Sequence, residues 1–179
     1  MINYNPYKLT ALNRSSLSAP MNYLLTNDLL KGKILDFGCG NGQDVDKLKL
    51  IGYDIVGYDK YNELFNNNNT LDDCYDTVTC IYVLNVIPEL KEHQQVLNIL
   101  AKLGKDIYIA VRTDKKSIKK SWAYIEECEC YKTSKGSYQR FYDTDMVNKY
   151  LKDFEINIIK STNSYIIIHM KQFKVINKE

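Results

Sequence analysis

The residues most able to do chemistry are Asp36-Phe37-Gly38-Cys39-Gly40-Asn41-Gly42, three glycines at alternate positions behind an acid. Glycine accepts positive φ and lets a ligand approach the backbone closely. The stretch follows a predicted strand and opens a predicted helix, the setting in which a glycine-rich loop has binding meaning. Asp59 ends the next predicted strand, 17 residues beyond Gly42. A carboxylate there can accept both hydroxyls of a ribose, since ligands of open α/β sheets bind at the carboxyl ends of the strands. The dinucleotide fingerprint G-x-G-x-x-G fails, because Gln43 holds its last glycine position. No G-x-x-x-x-G-K-[ST] phosphate loop occurs either. The spacing G-x-G-x-G with an acid two residues ahead suits a nucleoside ligand without pyrophosphate, and that acid could face the ammonium of a methionine moiety.

The elements that must position these residues are legible from periodicity. Ala19-Pro20 followed by Met21, Leu24, Leu25, Leu29 and Leu30 predicts a helix ending at Lys31-Gly32. Strands are expected at 33–37, 54–58, 76–83 and 106–111, with helices at 44–51 and from Pro88 to Leu103. Asp143 is placed to cap a further helix that runs through Lys152. Two apolar β-branched runs, 154–159 and 165–170, flank the turn 161–164 as an antiparallel hairpin. Residues 112–142 show no period. Alternating strands and helices imply an α/β fold, a mostly parallel sheet with helices on both faces.

Composition narrows the setting. The 179 residues carry a formal net charge of +2, too mild to demand or exclude nucleic acid. No apolar run approaches the roughly 18 residues that span a bilayer, and the start Met1-Ile2-Asn3-Tyr4 lacks a signal peptide's basic, apolar character. A cytoplasmic protein with no membrane partner is expected. Five cysteines, an odd number, are read as reduced thiols. Cys128-Glu129-Cys130 is a C-x-C pair, but the only histidines, His93 and His169, lie far from it in sequence, so no metal site is expected.

Leu35 to Gly42 resembles motif I of class I S-adenosylmethionine-dependent methyltransferases, and Gly57-Tyr58-Asp59 resembles their second motif. The likeness covers residues 30–112 well, and the closing hairpin fits the family's last two strands. It implies a Rossmann-like domain spanning 1–179: an N-terminal arm and helix (1–32), a cofactor-binding core (33–111) and a candidate substrate segment (112–142). The implied cofactor is S-adenosylmethionine, with Arg14, Asp36, Gly38, Cys39, Gly40, Asn41, Gly42, Asp59, Lys60, Tyr82 and Val83 as its contacts. A narrower likeness, carried by residues 10–20, Tyr82 to Ile87, Ala110-Val111-Arg112 and Tyr138 to Tyr142, is to methyltransferases associated with DNA phosphorothioation systems. One departure stands out. The stretch between Asp59 and Asp76 is too short for a helix-strand-helix unit, so the third strand must be reduced or missing. The acid that ends it in the family has only Asp72 or Asp73 as stand-ins.

Methyl transfer from a sulfonium is an in-line displacement that rests on positioning and desolvation. The segment expected to face the methyl group reads Tyr82-Val83-Leu84-Asn85-Val86-Ile87-Pro88. It is not the [N/D/S]-P-P-[Y/F] of DNA amino-methyltransferases, and no Pro-Cys pair is present to attack cytosine C5. Tyr82, Asn85 and Arg112 are the candidates for orienting the reactants; for Asn85 the competing role is to cap the helix at Pro88. Only Arg14, Arg112 and Arg140 of the 24 basic residues are arginines, the planar fork suited to carboxylate or phosphate. Arg14 is expected over the cofactor and Arg112 at the ligand edge, with Arg140 equally readable as surface charge. Segment 112–142 carries eight cations against four carboxylates, interleaved with Trp122, Tyr124, Tyr131, Tyr138, Phe141 and Tyr142. That pattern suits phosphate contact plus base stacking, or a lysine-rich face beside a small aromatic core. The expected function is an S-adenosylmethionine-dependent methyltransferase with DNA or RNA as the favoured acceptor. The alternatives are a small-molecule methyltransferase and a non-catalytic S-adenosylmethionine-binding regulatory subunit.

Overall fold

The computed structural model describes residues 14–171; of the expected N-terminal arm, residues 1–13 lie outside the described residues. The sheet is built on β1 (Ile34–Phe37), whose four side chains are all buried, as befits an inner strand covered on both faces. β2 (Ile55–Tyr58) and β3 (Tyr75–Ile81) flank it in parallel register, Ile34 lying beside both Ile55 and Thr77. β4 (Gly104–Arg112) runs parallel to β3. β8 (Ile156–Ser161) and β9 (Tyr165–Lys171) form the expected antiparallel hairpin, giving the sheet order β2-β1-β3-β4-β9-β8. The family's third strand is indeed missing: residues 59–74 make turns and one 3-10 turn at Asn68–Leu71, and β2 is the sheet edge.

Alternation along the strands divides the core in two. Ile34, Ile55 and Ala110 pack with Met21 and Leu24 of α1 (Ala19–Thr26) and Val45 and Leu48 of α2 (Gln43–Leu50). On the other face Leu35, Phe37, Val78 and Ile109 pack with Val96, Leu97 and Leu100 of α3 (Leu90–Leu103) and Val147 of α4 (Thr144–Tyr150). Asp143 caps α4 by accepting from the Met146 N–H at 3.0 Å. α1 stops at Thr26 and not at Lys31, because Asp28 turns left-handed with φ 55° and sends Leu30 back to the core separately. Buried Asp44 in the first turn of α2 accepts from the Ser18 N–H (2.9 Å) and Oγ (2.6 Å), joining the two helix starts.

Segment 112–142 holds a second sheet: β5 (Ala123–Ile125), β6 (Cys130–Lys132) and β7 (Tyr138–Gln139), all antiparallel. Strands of two and three residues are too short to show a period of two in sequence. Tyr124, Tyr131 and Phe141 pack in a chain, with ring centroids 5.1 and 6.1 Å apart. The expectation of five reduced thiols is corrected here. Cys128 and Cys130 are disulfide-bonded, their Cα atoms 5.1 Å apart across a Glu129 held left-handed at φ 48°; Cys39, Cys74 and Cys80 are free.

Arg140, readable from sequence as a surface charge, is fully buried. Its Nε and Nη2 donate to the Cys128 carbonyl at 3.0 and 2.6 Å, Nη2 also to the Pro88 carbonyl at 3.0 Å, and Nη1 to the Ile87 carbonyl at 3.2 Å. Nη1 also donates to His93 Nε2 at 2.7 Å, which requires a neutral imidazole. Burial, reinforced by the Arg140 charge, holds His93 down to about 4. The unfolded chain takes up that proton near 6.5, so the His93 contribution to stability is level above pH 6.5 and is lost as pH drops through the window to 4. The wild type is expected to lose up to about 3 kcal/mol more than His93→Gln between pH 7 and pH 4. Urea unfolding at stepped pH measures this, and parallel curves for the two proteins would refute it.

Candidate functional site

The carboxyl ends of β1 to β4 open into one cavity of about 1120 Å³. β1 delivers Gly38 to Asn41 to its wall. Gly38 has φ 76°, and a Cβ there would lie 2.3 Å from Val83 Cγ2, at the end of β3. Gly42 caps α2 with φ 72°, and a Cβ there would meet the Phe65 ring at 2.1 Å. These two glycines let the loop lie against its neighbours, and the Gly38 and Cys39 N–H groups donate to the Tyr58 carbonyl at 2.7 and 3.1 Å, tying the loop to β2. β2 delivers Asp59, whose Oδ2 accepts from the Gly40 N–H and Oδ1 from the Tyr61 N–H, both at 2.9 Å. Asn62 Nδ2 closes the lacing by donating to the Gly40 carbonyl at 2.7 Å. A carboxylate has about four acceptor positions, so each Asp59 oxygen keeps one for a ligand hydroxyl.

β3 delivers Tyr82 and Val83 to the cavity; Tyr82 turns left-handed at φ 60° as the chain leaves the sheet. Burial pushes its phenol up to about 12, further above neutral pH than an ordinary tyrosine, so it stays protonated and able to donate. β4 delivers Arg112, which stacks over Phe141 at 5.4 Å and donates from Nη2 to Ser117 Oγ at 3.1 Å. Arg14 also lines the cavity, its guanidinium 3.5 Å from Asp44 and its backbone N–H bonded to Gln43 Oε1 at 2.6 Å. Arg14 Nε is buried and has no hydrogen-bond partner among the described residues. Lys60 lines the wall and reaches Glu92 at 3.8 Å. Cys39 lines it too, but burial raises its thiol pKa, which keeps it an uncharged, poor nucleophile.

Other expected residues lie elsewhere. The Asp36 carboxylate does not line the cavity; it is buried, accepts from Thr79 Oγ1 at 2.7 Å, and is pushed up to about 7 by desolvation. Asn85 does not line it either. Its Nδ2 donates to the Arg140 carbonyl at 2.8 Å and its own carbonyl accepts the Arg140 N–H at 2.7 Å, leaving Oδ1 buried without a partner among the described residues. Asp73 pairs with Lys33, and neither it nor Asp72 borders the cavity. Residues that sequence reasoning passed over do border it: Leu71, and Glu92, Gln95, Val96 and Ile99 of α3. Their i, i+3, i+4, i+7 spacing marks one helix face, and the packing of α3 beside β3 and β4 sets which face borders the cavity. Trp122, Thr133, Ser137 and Tyr138, from around the second sheet, line it as well.

Gly38→Ala is expected to destabilise the protein by about 1–3 kcal/mol more than Gly52→Ala. Both glycines are left-handed, but nothing lies within 4 Å of a Cβ at Gly52. Equal thermal midpoints for the two variants would show that the Val83 contact is not limiting.

The glycine loop, the free acceptor positions of Asp59 and a cavity above the roughly 300–1,000 Å³ of one-ligand sites fit a nucleoside–amino acid cofactor with an acceptor beside it. A family model described as a methyltransferase domain matches residues 10–159. No curated protein matches the chain. Among solved structures, the PH0226 protein of Pyrococcus horikoshii OT3 is similar with TM-score 0.66 and 16% identity, over 85% of this chain and 87% of that one. A SAM-dependent methyltransferase of Bacteroides fragilis in complex with S-adenosyl-L-homocysteine gives 0.58 at 14% identity, over 89% and 79%. The magnesium protoporphyrin IX methyltransferase ChlM of Synechocystis PCC 6803, with bound SAM, gives 0.53 at 17%, over 94% and 80%. The family match spans most of the chain and falls on the elements that build the cavity: this chain belongs to the S-adenosylmethionine-dependent methyltransferase-domain family.

Proposed function

We propose that the chain transfers a methyl group from S-adenosylmethionine to an acceptor held between the end of β4 and the second sheet. One observation carries this reading: a single cavity joins the glycine loop and Asp59 to Tyr82, Arg112 and the second-sheet wall. Bound S-adenosylmethionine supplies an electrophilic methyl carbon on its sulfonium. Asp59 would take the ribose hydroxyls, the Gly38 and Gly40 turn would admit the ligand to the backbone, and Arg14 would offer its guanidinium to the methionine carboxylate. Lys60 and Val83 are assigned to the same contact set, with Asp36 supporting the loop from behind through Thr79. Tyr82, held protonated by burial, would donate to the acceptor or cofactor. In the displacement the acceptor's lone pair forms the bond to carbon, and the carbon–sulfur pair leaves with sulfur.

For the acceptor, a small molecule is the reading the cavity supports better. Tyr124, Tyr131 and Phe141 contact one another in a row on the second sheet, with Phe141 buried and Tyr124 exposed, and none of the three lines the cavity. That leaves Trp122 and Tyr138 as the aromatic residues of the segment on the cavity wall. A nucleic-acid acceptor is the second reading, favoured by the surplus of cations in residues 112–142, with Lys115, Lys116, Lys119, Lys120, Lys132 and Lys135 all exposed.

Calorimetry should show S-adenosylmethionine binding to the wild type, weakened about 10- to 100-fold in Asp59→Ala through loss of charge-assisted hydrogen bonds. Absence of binding by the wild type would reject the proposal. Labelled methyl transfer, offered to DNA, RNA and cell metabolites, then separates the two acceptor readings. Binding with no transfer to any of them would favour a non-catalytic regulatory subunit.

A further inference from the structure

The charges of the cavity wall divide along the chain. The part contributed by residues 14–99 carries Arg14 and Lys60 against Asp59, Glu63 and Glu92. A carboxylate excess there suits a cofactor whose ammonium and sulfonium outnumber its carboxylate. The part contributed by residues 112–164 carries Arg112, Lys119 and Lys135 against Asp114 alone. A cationic wall at the acceptor end attracts a ligand of the opposite sign.

Arg112 is the built element of that wall. It sits on the last residue of β4, fixed by the sheet, and its guanidinium is oriented by stacking on buried Phe141 and by the Ser117 hydroxyl. Ser117 is itself held, its Oγ donating to the Asp114 carbonyl at 2.7 Å. The Asp114 carboxylate stands 4.0 Å from Nη2, at the limit of an ion pair. Among the described residues no hydrogen bond occupies Arg112 Nε or Nη1, and the side chain is about one-third exposed on the cavity wall. Trp122 and Tyr138 are the aromatic residues of segment 112–142 that line the same cavity. Tyr82, protonated, is within electrostatic reach of both Arg112 and Arg14.

The geometry points to Arg112 as the seat of an anionic group, a carboxylate or phosphate, on a planar acceptor whose ring lies against Trp122 or Tyr138. The inference rests on the methyltransferase reading and names the acceptor's class within it. Nη2 gives one of its two N–H groups to Ser117, and its second N–H with the adjacent Nε or Nη1 leaves one guanidinium edge for the two oxygens of such a group in a bidentate pair, which a lysine cannot reproduce.

The test uses the full chain loaded with S-adenosylhomocysteine, titrated separately with benzoate, inorganic phosphate and a ten-nucleotide thymidine strand. The expected result is saturable binding of at least one probe, weakened about tenfold or more in Arg112→Gln and partly restored in Arg112→Lys. S-adenosylhomocysteine affinity should stay within about twofold of wild type in both variants, which shows that they are folded. Preference for benzoate assigns the site to a carboxylate and preference for phosphate to a phosphoryl group. Tight, steeply salt-dependent binding of the strand assigns that group to nucleic acid. Loaded protein that binds none of the three, or an Arg112→Gln variant that binds them as wild type does, overturns the inference. Failure of S-adenosylhomocysteine itself to bind would reject the methyltransferase reading and the inference with it.

Discussion

A guanidinium cannot be deprotonated at any pH the protein meets, so burying one obliges the fold to surround it with acceptors. Arg140 imposes that condition at the centre of this molecule. Among the described residues no carboxylate answers it directly. The carbonyls of Ile87, Pro88 and Cys128 and the neutral ring of His93 do so. Those groups come from three places: the loop leaving β3, the first turns of α3 and the second sheet. Satisfying one charge therefore docks the second sheet against the segment that lines the cavity, and it holds Tyr82 to Ile87 in the path that presents Tyr82 and Val83. Asn85 joins the same arrangement through two backbone contacts with Arg140, and so serves the junction rather than the cavity.

The second sheet is otherwise thinly supported. Its strands are two or three residues long, and isolated short hairpins are marginal in water. The Cys128–Cys130 bond, the packed rings of Tyr124, Tyr131 and Phe141, and Arg140 supply what strand pairing alone cannot. The result is a wall rather than an appendage. It adds Trp122 and Tyr138 to the lining of the cavity that Arg112 and α3 also border.

On the cofactor side the constraint is the absence of side chains. Gly38 and Gly42 stand where a Cβ would collide with Val83 and Phe65, which brings three chain segments into contact at the loop. Asp59 then laces its own turn to that loop through Gly40. Loss of the third strand leaves β2 at the edge of the sheet among the described residues, and one face of α3, with Glu92 and Val96, lines the cavity. The protein thus keeps the glycine loop and the acid after β2 while building the far wall from a helix.

By itself the sequence determined the parallel sheet, the hairpin, the missing third strand, the glycine loop and Asp59. Each is a local pattern: period, spacing, or a glycine where the chain must turn. Local physics suffices for these because alternation and turn chemistry act within a few residues. Only the tertiary structure decided the fates of Arg140, Asn85, Asp36 and the C-x-C pair. An arginine reads the same in sequence whether it meets water or three carbonyls, and a carboxylate two residues before a glycine does not reveal that Thr79 will hold it away from the cavity. The second sheet was hidden because its strands are shorter than any period, and the α3 face because its place on the cavity wall depends on how the helix packs on β3 and β4. Those outcomes depend on contacts between residues far apart in the chain, such as Asn85 with Arg140 and Asp36 with Thr79, where burial and hydrogen-bond satisfaction choose among partners that the local sequence leaves equivalent.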